Sequence, residues 1–467
     1  MLLCAVYAGA WEWWPLPMAE PDTCRDTLYY TGEVSVLSSS GAQAPSLLWH
    51  NRQGNIALQP HSGNLSVGII KPTTRPNRWF DYDFGVVLCG RISGTQQNIA
   101  APAISGTGYF RELYAHARLY IVDITAGIYP VSYGPGDDEL STGGLLFSNN
   151  THPIPRITIG LERWTPVPGL FGYVEVKGGL THGWLNDNAP DIKGTMLHHK
   201  FIGGRIGGKL PVNISYEFHH AAQWGGYSTI NGDLGNDWQS FRHIFSAQKG
   251  GSTQSDQLNA QGNHILSQTL CLTVQGDRWH VDVYWQDIQE DGRPRWIGTG
   301  QNSKDGLWGV SVIQDHWQYI RGLSIEFFNT TDQSGPWHDR DGMVFGGKDK
   351  YYLNGAYPQG WTYFGQIMGL PFCLPFNSRV IGGQAGIKGD IYGFQYRAVC
   401  SHVRNYGTYD QPIQSDNTAV LVEIRKHIEK AWGLDFSLAI SGDFGSQFGN
   451  RFGAMMTISK QGILKTY

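Results

Sequence analysis

The sequence predicts an all-β protein: a transmembrane antiparallel β-barrel of about eighteen strands with one loop folded into its lumen. Three observations predict it. Apolar and small polar residues alternate with period two, long and short connections alternate between these segments, and the composition is poor in charge but rich in aromatics and glycine. Charged residues are 16% of the 467, where an ordinary soluble domain carries about 25%. Aromatics reach 13%, with 17 Trp and 23 Tyr, and there are 61 Gly. Lys+Arg number 35 against 39 Asp+Glu, a net charge of −4, which excludes the basic face that nucleic acid requires. Past the N-terminus, no stretch approaches the ~18 consecutive apolar residues of a spanning helix.

The chain begins Met1-Leu-Leu-Cys-Ala-Val-Tyr-Ala-Gly-Ala10, an apolar run ending in an A-x-A-like site and lacking a basic start. Residues 1–19 read as the remnant of an export signal, and residues 20–467 as one outer-membrane barrel. Beyond Cys4, the five cysteines Cys24, Cys89, Cys271, Cys373 and Cys400 are widely spaced, with no C-x-x-C pair to suggest zinc or redox chemistry.

The strands carry the strongest signal. Leu266, Gln268, Leu270, Leu272 and Val274, a largely apolar set, alternate with Ser267, Thr269, Cys271 and Thr273. After a Gly276-Asp277 turn, Trp279, Val281, Val283 and Trp285 alternate with His280, Asp282, Tyr284 and Gln286, which reads as a hairpin. Leu323, Ile325 and Phe327, then Val420, Val422 and Ile424, then Trp432, Leu434, Phe436, Leu438 and Ile440 repeat the pattern. The polar face holds Gly, Ser, Thr and Gln with isolated charges rather than dense Lys and Glu. That suits a crowded lumen better than open water.

Connection lengths give an independent test, because outer-membrane barrels alternate short periplasmic turns with longer outer loops. Short links are expected near 428–431, 389–390, 315–318, 276–277 and 209–212. Long ones are expected near 405–417, 332–377, 290–306 and 224–263. Lipid offers no hydrogen-bond partner to a free strand edge, so such a sheet must close on itself.

In a Gly- and Pro-flanked loop, Tyr133 stands in a Ser-Tyr-Gly-Pro-Gly run followed by Asp137, Asp138 and Glu139. The turn residues let the loop enter a narrow pore. The three carboxylates, which lack the spacing of an EF-hand, read as a lumen plug tied to Arg or Lys on the wall.

The stretch from Tyr129 to Gly160 resembles the Wzi family of capsule assembly proteins, in its Bacteroides-type branch. So do Gly183-Trp184, Leu197-His198-His199-Lys200, and the run from Phe218-His219-His220 to Trp224-Gly-Gly226. The similarity covers the chain from about residue 28 to its end. It implies an eighteen-stranded barrel in the outer membrane of a Gram-negative bacterium, a lectin that attaches capsular or exopolysaccharide to the cell surface without catalysis. Family members best known for this role also carry a periplasmic helical bundle. This sequence has no long amphipathic helix to build one.

Sugar recognition uses aromatic faces with carboxylates, amides and Arg around them. Two long loops hold that mixture, giving Trp337, His338, Asp339, Arg340, Tyr351, Tyr352 and Trp361 in one, and Trp224 and Trp238 in the other, as candidate polysaccharide-binding residues. Interfacial Trp and Tyr offer the competing reading. His198-His199 and His219-His220 place at most one ring of each pair in the lumen, since strand neighbours point to opposite faces, so no metal set is expected. No G-x-S-x-G elbow or other local triad marks a catalytic residue, and no cofactor is expected. The partners expected are surface polysaccharide and outer-membrane lipid, with the barrel acting as a monomer. A porin for small solutes or saccharides is the alternative on the same fold.

Overall fold

A computed structural model describes residues 26–73, 79–95, 103–185, 189–253, 260–290, 304–336, 338–340 and 343–467. The export-signal reading of residues 1–19 lies outside the described residues. Eighteen antiparallel strands form the wall: β1 (Thr27–Ser39), β2 (His61–Lys71), β3 (Phe80–Thr95), β4 (Ala103–Leu119), β5 (Val122–Ile128), β6 (Pro155–Pro166), β7 (Val174–Leu185), β8 (Thr195–Ile206) and β9 (Val212–Trp224) make the first half. The second half comprises β10 (Asn263–Gln275), β11 (Trp279–Gln286), β12 (Gly306–Gln314), β13 (Gly322–Asn329), β14 (Val380–Ile391), β15 (Phe394–Gly407), β16 (Pro412–Ile428), β17 (Leu434–Phe444) and β18 (Arg451–Thr466). Each strand pairs with its sequence neighbours, and β18 returns to β1 with partners running from Thr27 and Thr466 to Ser39 and Gly453. Among the described residues the wall has no open edge, as hydrocarbon demands.

The alternation read from the sequence sets which face meets lipid. Val34 and Val36 on β1, Leu65 and Val67 on β2, Leu270 and Leu272 on β10, and Ile325 and Phe327 on β13 all point outward and are exposed. Their neighbours Ser35, Ser66, Thr269 and Glu326 are buried inside. Exposed rings circle the end where β1 begins and β18 finishes: Trp79, Tyr120, Phe171, Trp317, Tyr392 and Trp432 all lie in or beside its turns. Amphipathic rings favour the membrane–water boundary, so this belt marks the short-turn rim.

Most expected links fall where the sequence placed them, at 207–211, 276–278, 315–321 and 429–433 on the short side, and at 225–262, 287–305 and 330–379 on the long side. Two differ. The turn expected at 389–390 lies at Tyr392–Gly393, where φ is +52° and +73°, the paired positive values a two-residue hairpin needs. The strand runs on through Asp390 because its pairing with Gln395 keeps it in the ladder. The connection expected to be long near 405–417 is a tight link, Thr408–Gln411, because β15 and β16 extend past the membrane span and pair to Gly407 and Pro412.

Above mid-height the interior is packed like a globular core. Three outer loops descend into it: 40–60, which carries the short helix α1 (Ser46–Trp49), 129–154, and 347–379. Leu145, Leu146, Phe147, Tyr351, Tyr352, Trp361 and Leu370 pack on inward residues of β7 to β15. A second cluster joins Leu47, Leu48 and Trp49 to Leu421, Ala439 and Met455 on the wall, and includes Leu140. Local composition reflects this: inward positions are polar low on the wall, and apolar or small where loops lie against them.

Candidate functional site

The deepest element inside the barrel is the segment 129–154, whose ends are joined to the wall by the Ile128–Pro155 pair. It crosses to strands on the far side. Lys388 of β14 donates to Asp137 at 2.7 Å and also to the Glu139 carboxylate. Arg397 of β15 donates to the Glu139 carbonyl at 3.0 Å, and Gln384 to the Leu140 carbonyl at 2.8 Å. Glu326 accepts from the Thr142 amide at 2.5 Å and from the Tyr284 hydroxyl at 2.7 Å, while Gln286 accepts from the Leu145 amide at 2.6 Å. Satisfying these backbone groups with wall side chains is what allows irregular chain to lie at membrane depth.

The four expected plug residues all lie here, in different surroundings. Asp137 and Glu139 share Lys388, and burial raises the Glu139 carboxyl against that lysine's pull. Asp138 turns away to accept from Ser132 at 2.6 Å, and burial raises it too. Tyr133 points at the wall, its ring 4.8 Å from that of His199 and 5.8 Å from that of Phe201. Behind it His199 and His219 lie parallel, 3.1 Å apart at Nε2 and Nδ1. Their neighbours His198 and His220 face outward, as strand alternation requires. Among the described residues no group of three or more His, Cys, Asp or Glu is placed to hold a metal.

The loop 40–60 docks beside this segment. Asp443 accepts from the Ser46 amide at 2.9 Å, the Ser46 hydroxyl at 2.7 Å and Arg451 at 2.6 Å. Arg52 and Arg397 converge on Glu423, each at 2.7 Å. His50 is fully enclosed, and burial pulls its imidazole down to about 3. His152, held between Tyr109 and Phe364, is pulled down to about 4 by burial and by Arg91.

Several rings expected to meet sugar are structural instead. Tyr351, Tyr352 and Trp361 have no exposed surface and Trp224 is 4% exposed. The Tyr352 hydroxyl donates to the Leu145 carbonyl, Trp361 Nε1 donates to the Leu146 carbonyl at 2.9 Å, and Tyr351 donates to Asp305 at 2.9 Å. Each ring holds one loop against another, so none offers a face to a ligand. Large aromatics in long loops serve burial when the loops themselves form a core, and sequence composition does not separate the two uses. Trp238 is 71% exposed, but it lies outside the wall on helix α2 (Trp238–Ser246) rather than on the outer face of the loops. Trp337 lies outside the described residues. His338, Asp339 and Arg340 form a short strand paired with 343–346.

The outer face instead offers a small three-stranded sheet, formed by 192–193, 227–228 and 232–233. Tyr227 is the partner of Lys193 on one side and Asp233 on the other, so a cation, a ring and a carboxylate stand in one row. All three are exposed, the Tyr227 ring by 61%. The opposite face of the sheet sits on Ile192, Leu234, Ala356 and Tyr357, which fix the row to the loop 347–379 beneath it. Positive φ at Gly226 and Gly232, +89° and +73°, lets the chain turn tightly at its ends. The sequence offers for this row only that Tyr227 and Asp233 share one aromatic loop; Lys193 comes from another loop, and no spacing reports that contact.

Comparison with known proteins gives consistent results. A family model described as capsule assembly protein Wzi matches residues 38–442. No curated protein matches the chain. Among solved structures, Wzi of Escherichia coli, described as an outer membrane protein involved in group 1 capsule assembly and a carbohydrate-binding β-barrel, aligns with a TM-score of 0.56 at 11% identity, covering 92% of this chain and 84% of that one. OccK7 (OpdD) of Pseudomonas aeruginosa aligns at 9% identity and a TM-score of 0.48, covering 94% and 99%. OccAB1 of Acinetobacter baumannii gives 9% and 0.48, covering 94% and 97%.

Proposed function

This chain belongs to the Wzi family of capsule assembly proteins, and from that premise we propose that it is a non-catalytic lectin of the outer membrane that holds capsular or related surface polysaccharide on the cell. The observation that carries this reading is the row Lys193–Tyr227–Asp233, an exposed ring between a cation and an anion on a braced sheet of the outer loops. A ring face packs against the C–H face of a sugar, and flanking charges read its hydroxyl or carboxylate groups. The row also stands on loops packed into the barrel, so a bound polymer would be tethered to the wall and not to a free strand of chain. The filled lumen supports the same reading over a passive porin, since the plug segment spans the path that a solute would take.

The test is binding of purified capsular oligosaccharide to the detergent-solubilised barrel, measured by calorimetry. Tyr227→Ala is expected to weaken binding about tenfold, the upper range of one ring contact, while Trp361→Ala lowers stability first. In cells, loss of the protein is expected to release polysaccharide into the medium. Unchanged affinity in Tyr227→Ala removes the row as the site, and full retention of capsule without the protein removes the function.

A further inference from the structure

On the outside of β8 to β10 the apolar belt stops below the rim. Rising along β8, the outward residues are Ile206 and Ile202, exposed by 68% and 65%, and then Lys200 and His198. On β9 the sequence is Val212, Ile214, Tyr216, Phe218 and then His220; on β10 it is Leu272, Leu270, Gln268, Leu266 and His264. Thus several polar side chains replace aliphatic ones at one level of the outer wall. Helix α2 covers His198 and Lys200 there, while Gln268 is bonded to Asp287 and Tyr216 and His220 to His264. His198, His220, Gln268 and His264 are buried to 4% exposure or less. The rings of Phe241 and Phe245 lie 5.7 and 5.4 Å from that of His198, Lys200 sits 4.3 Å from the Phe245 ring and donates to its carbonyl, and Ile244 is fully buried.

The other face of α2 is turned away from the protein. Trp238 and Arg242 at i and i+4 share that side of the helix, and Phe245 at i+7 lies at its margin, one side of its ring against His198 and Lys200. Trp238 is 71% and Phe245 41% exposed, with Arg242 between them and exposed Lys249 just past the helix end. The helix is firmly set: Asp237 accepts from the Ser240 amide at 2.7 Å, and Ala247 closes the other end at φ +50°. A short helix with an exposed Trp and Arg on its outer side, a partly exposed Phe beside them and a Lys just past its end, continuous below with a lipid-facing belt, is built to lie at the boundary of hydrocarbon and headgroups.

We propose that α2 is an interfacial anchor that binds phosphate-bearing anionic lipid of the outer leaflet, the rings entering the upper acyl region and Arg242 and Lys249 pairing with phosphate. Continuity with the aliphatic belt fixes the depth, and the two cations select the lipid charge. Each cation near an anionic surface favours anionic lipid by about fivefold.

The experiment uses the full chain in vesicles of phosphatidylcholine, with or without phosphatidylglycerol or purified lipid A. Lipids brominated high on the acyl chain quench tryptophan, and the difference between wild type and Trp238→Phe isolates Trp238. Strong quenching of that difference signal is expected. Native mass spectrometry then counts retained lipid, where Arg242→Gln/Lys249→Gln is expected to lose about 25-fold in preference for the anionic lipids over phosphatidylcholine. Heat-modifiable gel mobility checks that each variant is folded. Absence of Trp238 quenching, or equal lipid preference in wild type and the double variant, overturns the proposal.

Discussion

Replacing residues 130–153 with an Asn-Gly turn is expected to turn a closed barrel into a conducting one. Ile128 and Pro155 are direct partners, so the excised segment leaves and rejoins the wall at neighbouring points, and a two-residue hairpin closes the gap without moving either strand. An eighteen-strand wall with strands spaced 4.7–4.9 Å apart and tilted by about 40° is on the order of 35 Å across between opposing backbones. Such a width conducts water and ions unless something fills it. The segment removed buries Leu140, Leu145, Leu146 and Phe147 at 7% exposure or less. At about 1.5–3 kcal/mol for each side chain, their docking is worth roughly 9 kcal/mol before the cost of ordering the backbone. Planar-bilayer recording of wild type is therefore expected to show no steady channel, and the deletion variant to show one. A steady wild-type channel as large as that of the variant, or a heat-modifiable and correctly folded variant that does not conduct, refutes the reasoning.

Four further outcomes are expected. Lys388→Met leaves Asp137 and Glu139 without their shared cation, and denaturant titration should show a loss of about 3 kcal/mol, as expected when one partner of a mostly buried charge cluster is removed. Asp443→Asn weakens three bonds to Ser46 and Arg451 and should cost about 2–3 kcal/mol, with faster proteolysis of the loop 40–60 than in wild type. Tyr352→Phe removes the donor to the Leu145 carbonyl and should lower stability by about 1–2 kcal/mol while leaving glycan affinity unchanged, since the ring is buried. His152 has a folded value near 4 against 6.5 unfolded, so its contribution is complete above pH 6.5 and falls away as the pH drops toward 4, by at most about 3 kcal/mol; His152→Gln should flatten the stability–pH curve in that window relative to wild type.

The wall of the barrel was legible because its cause is local. Every second residue of a strand meets lipid, so Leu270 and Leu272 or Ile325 and Phe327 declare their side of the sheet from neighbours two positions away. Turn positions were readable to a few residues, with Tyr392–Gly393 displaced because pairing, not composition, ends a strand. The loop interior was not legible in the same way. Tyr351, Tyr352 and Trp361 have the composition of a sugar platform and the environment of a core, and only the descent of 129–154 beneath them decides between the two. Trp238 shows the reverse error of scale: its exposure fits a binding ring, but helix α2 carries it beside the outside of the wall rather than on the outer face of the loops. The row Lys193–Tyr227–Asp233 draws on two loops, and a contact between loops leaves no periodic trace in sequence.

The same arrangement suits the proposed retention of a polymer more than transport. A porin keeps its constriction narrow but wet; here inward positions such as Ala221, Leu421 and Ala439 are apolar or small because a loop, and not water, lies against them. That substitution couples the outer loops to the wall. A pull on the sheet carrying Tyr227 is transmitted through Ile192 and Tyr357 to the loop 347–379, then through Tyr352 and Trp361 to Leu145 and Leu146, and from there by Gln286, Glu326 and Lys388 to strands fixed in the membrane. Each link is a buried contact or a short hydrogen bond, so load is shared among many strands. A freely moving loop would yield to the drag on a long polymer, whereas loops packed to the density of a protein interior resist it. If the outer face holds polysaccharide as proposed, the closed pore is a consequence of bracing that face, and a variant that opens the lumen should also loosen the grip.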